Sequence, residues 1–178
     1  MMTSPSTNER IPQVNVVIAL GANLGDRLAA LHGAVDGLRA TPGVEIIAVS
    51  SVYETEPVGG PQQPEYANAV VLVSASIPIA ALLERAHEIE TAWDRVRAER
   101  WGPRTLDIDI IDAGGEVSDD PVLTLPHPRA YERGFVIIPW LEIEPDAVLV
   151  GYGPIRDLKV DATGVRMSND RIPNEWVP

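Results

Sequence analysis

The sequence contains no cysteine among its 178 residues. Disulfide bonds and metal sites built from thiolates are therefore excluded, and cysteine use leaves the redox compartment open. Basic residues are also scarce, since 14 Lys and Arg are outnumbered by 26 Asp and Glu, and the formal net charge is -12. A protein that binds a phosphate backbone needs a basic face, so this balance argues against a nucleic acid partner.

Long apolar runs are missing as well. The most apolar segment, residues 68–83, is interrupted by Ser74, Ser76 and Pro78, and it is therefore a poor candidate for a membrane span. The first 13 residues are polar and contain no apolar signal core. These features predict a cytoplasmic protein without a membrane partner.

The length of the chain predicts a single domain. Its 45% hydrophobic and 22% charged residues are ordinary values for a globular protein. We expect a flexible leader over residues 1–13, a folded domain over 14–150, and a C-terminal extension over 151–178. Gly, Pro and Asp interrupt that extension, and its sequence indicates no function.

Hydrophobic periodicity divides the domain into alternating strands and helices. The predicted strands are residues 14–20, 44–53, 66–75 and 106–111. Two apolar stripes at helical spacing are Leu28, Leu31, Val35 and Leu38, and then Ile79, Leu82, Leu83, Ala86 and Ile89. Asn23 or Asp26 can cap the first helix and Ser76 the second, with Pro78 in its first turn. Residues 128–142 predict a further helix. The order βαββαβ is typical of a ferredoxin-like α+β sandwich with an antiparallel sheet and helices on one face.

Asp107 and Asp109 alternate with apolar residues in the last predicted strand. Because residues two apart in a strand point to the same face, the two carboxylates project side by side. Adjacent carboxylates repel unless a cation lies between them, and Mg²⁺ prefers carboxylates together with nucleotide phosphates. The pair predicts a magnesium site, and a solvated strand face is the alternative.

Arginine is concentrated immediately before this strand. Arg95, Arg97, Arg100 and Arg104 fall within ten residues. Guanidinium groups match phosphate oxygens in geometry and charge, so these arginines beside two carboxylates are suited to hold a polyphosphate with its metal. The alternative is a set of surface ion pairs with the many acidic residues.

Two further motifs carry polar groups. His127 lies in the segment Pro-His-Pro-Arg at 126–129, and Tyr66 is followed two residues later by Asn68. If Tyr66 begins a strand, Asn68 shares its face, and the Asn amide offers a donor and an acceptor to a heterocycle with an amide-like edge. The alternatives are a structural histidine and ordinary edge-strand polarity.

Taken together, these motifs resemble those of the 6-hydroxymethyl-7,8-dihydropterin pyrophosphokinase family. Residues 99–110 (ERWGPRTLDIDI) are similar to the signature of that family. The other matching segments, in family order, are ALGANLG at 19–25, SSVYETEP at 50–57, QPEYAN at 63–68, LPHP at 125–128 and ERGF at 132–135. The resemblance extends over about residues 14–149.

The resemblance implies a ferredoxin-like enzyme that moves a diphosphate from ATP, its co-substrate, to a pterin alcohol in folate biosynthesis. It implies that Asp107 and Asp109 hold two Mg²⁺ ions and that Arg95 and Arg104 stabilise charge, with Arg97 as the alternative to Arg95. The residues implied at the nucleotide are Glu90, Trp101, Arg104, Ile110, His127 and Arg133. The residues implied at the pterin are Thr55, Pro57, Val58, Tyr66, Asn68 and Phe135, with the ring between Tyr66 and Phe135. We expect a monomer.

Two other functions stay open from the residues alone. Another magnesium-dependent phosphoryl or nucleotidyl transferase on the same fold would keep the Asp pair but would not need Tyr66, Asn68 and Phe135 together. A non-catalytic ferredoxin-like binding module, for example for RNA, predicts an aromatic and basic sheet face. The single Phe and the net charge of -12 argue against that module.

Overall fold

The computed structural model describes residues 11–57, 63–93 and 105–172. Its helices are α1 (Arg27–Arg39), α2 (Ile79–Ala92) and α3 (Gly134–Ile143), with short 3-10 turns at Ala130–Glu132 and Ile155–Asp157. Its longer strands are β1 (Val14–Ala22), β2 (Val44–Val49), β3 (Tyr53–Thr55), β4 (Tyr66–Ala75) and β5 (Asp107–Ala113). The two-residue strands are β6 (Ser118–Asp119), β7 (Thr124–Leu125), β8 (Val148–Leu149), β9 (Gly153–Pro154) and β10 (Arg166–Met167).

The main sheet is antiparallel throughout its described pairings. Its strand order is β10-β3-β4-β1-β5, and β2 pairs with β4 on the same side as β3. The two remaining pairs, β6 with β7 and β8 with β9, form small separate hairpins. The predicted antiparallel sheet with flanking helices is therefore confirmed.

Each face of the sheet carries its own hydrophobic core. One core joins α1 and α2 to inward residues such as Ile18, Val71 and Ile108. The other core joins α3, through Ile137 and Trp140, to residues on the opposite face; these are Val17, Val70, Leu72 and Ile111. The two helices of the expected βαββαβ core, α1 and α2, lie on one face as expected, and the added helix α3 buries its apolar surface on the opposite face.

Two local expectations need correction. The helix expected from residue 128 begins at Gly134. Ser76 was expected to cap α2, but Pro78 is the N-cap residue and no side chain caps this helix, while the Ser76 hydroxyl donates to the Gly43 carbonyl at 3.2 Å. For α1 the expected cap is present, since the Asp26 carboxylate accepts from the Ala29 N–H at 3.0 Å.

The C-terminal extension packs against the rest of the domain as far as residue 172. Ile155 is fully buried in the α3 core, and Ile172 is 2% exposed in the other core. β10 also pairs with β3, so the extension supplies an edge strand of the main sheet. Among the residues described, no helix is long and apolar enough to cross a membrane.

The strand expected over residues 44–53 is interrupted between β2 and β3, and Ser50 maintains pairing at the break. Its backbone N–H donates to Val70 O at 2.9 Å, and its hydroxyl accepts from the Val70 N–H at 2.9 Å. Ser50 is 3% exposed. Its side chain therefore replaces a backbone acceptor where the regular ladder is broken.

We predict that Ser50→Ala destabilises the protein by about 1–3 kcal/mol, because the buried Val70 N–H loses its acceptor. The measurement is the free energy of unfolding in urea. Ser76→Ala is the control, and it should change that free energy by less than about 0.5 kcal/mol because Ser76 is exposed and caps no helix. Equal effects of the two substitutions would contradict the role of Ser50.

Candidate active site

The register of β4, β1 and β5 places polar side chains in a row across one face of the sheet. Gly21 of β1 lies opposite Asn68 of β4 on one side and opposite Asp107 of β5 on the other. Ala19 lies in the next row, opposite Asp109. Directly opposed residues project to the same face of a sheet, so Asn68 and the two aspartates share a face with only small residues between them.

The missing side chain at Gly21 leaves open space in the middle of this row. Among the described residues outside its chain neighbours, a Cβ built at Gly21 would have only Asn68 Oδ1 within 4 Å, at 3.4 Å. The space belongs to a cavity of about 1030 Å³, which is large enough for a small-molecule site.

Eight of the site residues expected from the sequence line this one cavity. They are Thr55, Tyr66, Asn68, Asp107, Asp109, His127, Arg133 and Phe135. They come from β3, β4, β5, the segment before α3, and α3 itself. Residues separated by up to 80 positions in the sequence are thus brought together at one end of the sheet face.

Other expected site residues lie elsewhere. Glu90 is 1% exposed on α2, and its carboxylate accepts from the Ile108 N–H at 2.8 Å. Ile110 is buried in the core under α1 and α2, and Pro57 is not among the residues that line the cavity. The expected residues that lie outside the described part of the chain are Val58, Arg95, Arg97, Trp101 and Arg104.

Asn68 is held by its neighbours on β3. Its side-chain N–H₂ donates to Thr55 Oγ1 at 2.9 Å and to the Tyr53 carbonyl at 3.3 Å. The amide oxygen therefore remains on the side of Gly21, toward the cavity. The donor and acceptor expected to act together are divided, since the donors are used within the protein and the acceptor lies toward the cavity.

Arg133 and Phe135 flank the start of α3. The Arg133 guanidinium lies 5.6 Å from the centre of the Phe135 ring, within cation–π distance. Burial lowers the pKa of Arg133 from its ordinary value, and the charge of Asp109 opposes that shift. The guanidinium stays charged at neutral pH in any protein environment, so the cavity contains a partly desolvated cation opposite the carboxylates.

His127 is neutral at pH 7. Burial and, after it, the charge of Arg133 lower its pKa to about 4, although the charge of Asp107 acts in the opposite direction. His127 Nδ1 accepts from the Arg129 N–H at 3.2 Å. A neutral imidazole that accepts at Nδ1 carries its proton at Nε2, so His127 is a neutral hydrogen-bond donor.

Several residues that line the cavity were not expected. Four belong to the C-terminal extension, and these are Lys159, Asp161, Thr163 and Val165. The sequence offered one indication that this segment is unusual, since Lys159 is the only lysine of the chain. In the sequence, Gln63 stands out only as the first residue of the segment QPEYAN. In the structure, its side-chain oxygen accepts a hydrogen bond from the Asn23 side-chain N–H₂ at 3.0 Å.

The sequence matches the family model of 7,8-dihydro-6-hydroxymethylpterin-pyrophosphokinase (HPPK) over residues 17–145. It is 42% identical over 150 residues to the 2-amino-4-hydroxy-6-hydroxymethyldihydropteridine pyrophosphokinase of Methylorubrum extorquens, covering 83% of this chain and 94% of that protein. It is 44% identical over 148 residues to the protein of the same name from Mycobacterium tuberculosis, covering 78% of this chain and 77% of the relative.

The fold is similar to that of solved HPPK-DHPS chains from Plasmodium falciparum. For the wild-type structure with STZ-DHP the TM-score is 0.63 at 15% sequence identity. The match covers 84% of this chain and 43% of that chain, so the present chain corresponds to less than half of the Plasmodium protein. At this identity the likeness concerns the fold alone.

The depressed pKa of His127 predicts a pH-dependent stability. In the unfolded chain a histidine titrates near 6.5, whereas the folded-state pKa of His127 is about 4. As the pH falls, the unfolded chain binds this proton first, so stability present above about pH 6.5 is lost as the pH falls toward about 4.

The measurement is the free energy of unfolding in EDTA at several pH values within this window, for the wild type and for His127→Gln. The wild type should lose more stability on acidification than the variant, which has no titrating group at this position. Parallel curves for the two proteins would show that the pKa of His127 is not depressed by the fold.

Proposed function

The chain belongs to the HPPK family, and we infer that its cavity is where pyrophosphate passes from ATP to 6-hydroxymethyl-7,8-dihydropterin, a reaction of folate biosynthesis. The products are AMP and the pterin diphosphate. One observation above all supports the assignment of this reaction to the cavity. In the row formed by Asn68, Gly21 and Asp107, an amide suited to a heterocycle lies on the same face as a carboxylate pair. Family membership also decides against the two alternatives left open by the residues.

The pterin is proposed to bind at the end of the cavity formed by Thr55, Tyr66, Asn68 and Phe135. Asn68 Oδ1 accepts from N–H groups of the ring, because its own donors are already held by Thr55 and the Tyr53 carbonyl. Tyr66 and Phe135 supply aromatic faces, and flat heterocycles stack on such faces. Pro57 and Val58 are proposed as neighbours of this pocket from the sequence resemblance alone.

Asp107 and Asp109 are proposed to hold two Mg²⁺ ions. Both side chains line the cavity, and the small residues Gly21 and Ala19 beside them leave room for ions and phosphate oxygens. Within the part of the chain that the structure describes, no cluster of three or more His, Asp or Glu is arranged to hold a metal. The two carboxylates of Asp107 and Asp109 suit Mg²⁺, which binds through one or two carboxylates and takes its other ligands from phosphate and water. When bound, Mg²⁺ neutralises charge on the phosphate oxygens.

The chemical step joins the pterin hydroxyl oxygen to the β-phosphorus of ATP and breaks the bond from that phosphorus to the bridging oxygen of AMP. Negative charge develops on the leaving oxygen and on the phosphoryl oxygens. Arg133 stabilises that charge as a cation, and His127 Nε2–H donates a hydrogen bond to a phosphate oxygen. Arg95 or Arg97, Arg104 and Trp101 are proposed on the nucleotide side from the resemblance. Glu90 and Ile110 are proposed there from the resemblance alone, since both are buried outside the described cavity lining. No general base is assigned among the described residues, and the hydroxyl proton is proposed to pass to solvent water.

We further propose that residues 14–150 form a ferredoxin-like domain. The strand order β5-β1-β4-β2, with α1 and α2 as the two crossovers, supports this proposal because it is the βαββαβ order with antiparallel neighbours. A monomer in the cytoplasm is proposed as well, from the sequence alone.

The direct test of the function is formation of AMP from Mg-ATP and 6-hydroxymethyl-7,8-dihydropterin by the purified protein. We predict that Asp109→Asn lowers this turnover by about 100-fold or more, because a charge that stabilises the transition state through the metal is removed. Asp119→Asn, at an exposed carboxylate on β6, is the matched control and should keep wild-type turnover. Near-normal magnesium-dependent turnover of Asp109→Asn would reject the carboxylate pair as the metal site.

A further inference from the structure

A segment of the C-terminal extension, residues 159–165, forms part of the cavity wall. We call it the strap. Alternate residues of the strap line the cavity, and these are Lys159, Asp161, Thr163 and Val165. The intervening Val160 packs against the α3 core instead. The strap lies beyond residues 17–145, which the family model matches, so family membership assigns it no role.

One end of the strap is fixed to the beginning of α3. Asp161 forms a parallel bridge with Arg133. The Asp161 carbonyl also lies so close to Gly134 that a Cβ at that position would collide with it. The contact is therefore between two backbones, and it places the strap next to Phe135, the aromatic residue proposed at the pterin ring.

The other end of the strap is fixed to β3. Arg166 follows the strap directly and pairs in β10 with Glu54. Its guanidinium binds the Glu54 carboxylate at 3.2 Å and Glu65 at 3.1 Å, and Glu54 also binds Arg27 at 3.1 Å. Single exposed ion pairs contribute little, but a network that shares carboxylates holds its members in one geometry more effectively.

The positions of the two ends determine which half of the cavity the strap covers. One end lies beside Phe135 and the other beside Glu54 and Glu56, the neighbours of Thr55. A Cβ at Gly164 would lie 3.9 Å from the Glu56 side chain. Thr55 and Phe135 belong to the pterin half of the site, so the strap spans that half rather than the half with the aspartates.

We propose that the strap is a wall of the pterin site, in which Thr163 and Val165 contact the bound heterocycle and determine its affinity. This inference rests on the proposed function. Val165 offers an apolar surface to the ring, and Thr163 offers a hydroxyl. The Asp161 carboxylate, which accepts from the Thr163 N–H at 2.9 Å, fixes the turn that presents Thr163. Arg166 is a positioning residue that holds the strap against β3.

The absence of cysteine from the chain allows a direct test by thiol labelling. Thr163→Cys introduces one thiol on the strap, and Met167→Cys introduces one on the exposed surface of β10, outside the cavity lining. Each variant is treated with a maleimide alone, with 6-hydroxymethyl-7,8-dihydropterin, or with Mg-ATP. The pterin is used at ten times the Kd that calorimetry gives for that variant.

The pterin should slow labelling of Cys at position 163 about tenfold, the factor expected when bound protein is protected at this concentration. It should leave labelling at position 167 unchanged, and Mg-ATP alone should protect neither thiol. If calorimetry detects pterin binding but labelling at position 163 is unchanged, the strap is not part of the pterin site, even though the enzyme is a pyrophosphokinase. If the wild type neither binds the pterin nor forms AMP, the proposed function itself has failed.

A pair of arginine variants tests the attachment of the strap. Arg166→Met removes the ion pairs to Glu54 and Glu65, whereas Arg156→Met removes an ion pair to Asp146 elsewhere on the extension. Arg166→Met should weaken pterin binding severalfold while Mg-ATP binding stays within twofold of the wild type, since the freed strap no longer holds its wall in place. Arg156→Met should change neither affinity. Equal pterin affinities in the two variants would contradict the positioning role of Arg166.

Discussion

The structure depends on the register of β1 between β4 and β5. This register places Gly21 between Asn68 and Asp107, and Ala19 beside Asp109. Because side chains alternate between the two faces of a strand, a slip of one residue in β4 would turn Asn68 into the core under α1 and α2, and a slip in β5 would turn the aspartates into that core. Burial of apolar residues on that opposite face therefore also determines where the polar site residues point.

The face that carries the site has two halves with different physical roles. Val17, Val70 and Ile111 form an apolar half, and α3 covers it through Ile137 and Trp140. Among the described residues, no helix packs over the other half, which lines the cavity. The same helix contributes to both halves, because its body closes the core while its beginning places Arg133 and Phe135 at the cavity.

α3 is also fixed near its end, by a polar contact with the edge of the sheet. The Glu142 carboxylate accepts from the Ser51 hydroxyl at 2.8 Å and from the Tyr53 hydroxyl at 3.0 Å. Burial and, after it, the hydrogen bond to Glu142 raise the pKa of Tyr53 to about 12, so its hydroxyl remains a donor at neutral pH. Tyr53 is in turn the backbone acceptor for Asn68. The position of the helix and the orientation of the Asn68 amide are thus linked through one residue.

The sequence predicted the parts of the fold and site that depend on local periodicity. The alternation around Asp107 and Asp109 is a two-residue pattern, and the residues proposed at the pterin fall in short motifs, so both were recognisable. The break at Ser50 was not, because it depends on a side chain replacing a backbone acceptor on β4. The strap was missed for a similar reason, since its place depends on the backbone contact with Gly134 and on the ion pairs of Arg166, neither of which has a periodic signature.

The open space above Gly21 is the place where the pterin and the phosphates of ATP are proposed to meet. Gly21→Val tests this proposal directly, because its Cβ fits the strand at 3.4 Å from Asn68 Oδ1 while its methyl groups enter the cavity. A β-branched residue suits a strand, so the melting temperature should be unchanged or higher. Calorimetry should show that pterin binding is lost in this folded variant. A folded Gly21→Val protein that binds the pterin as tightly as the wild type would contradict the account.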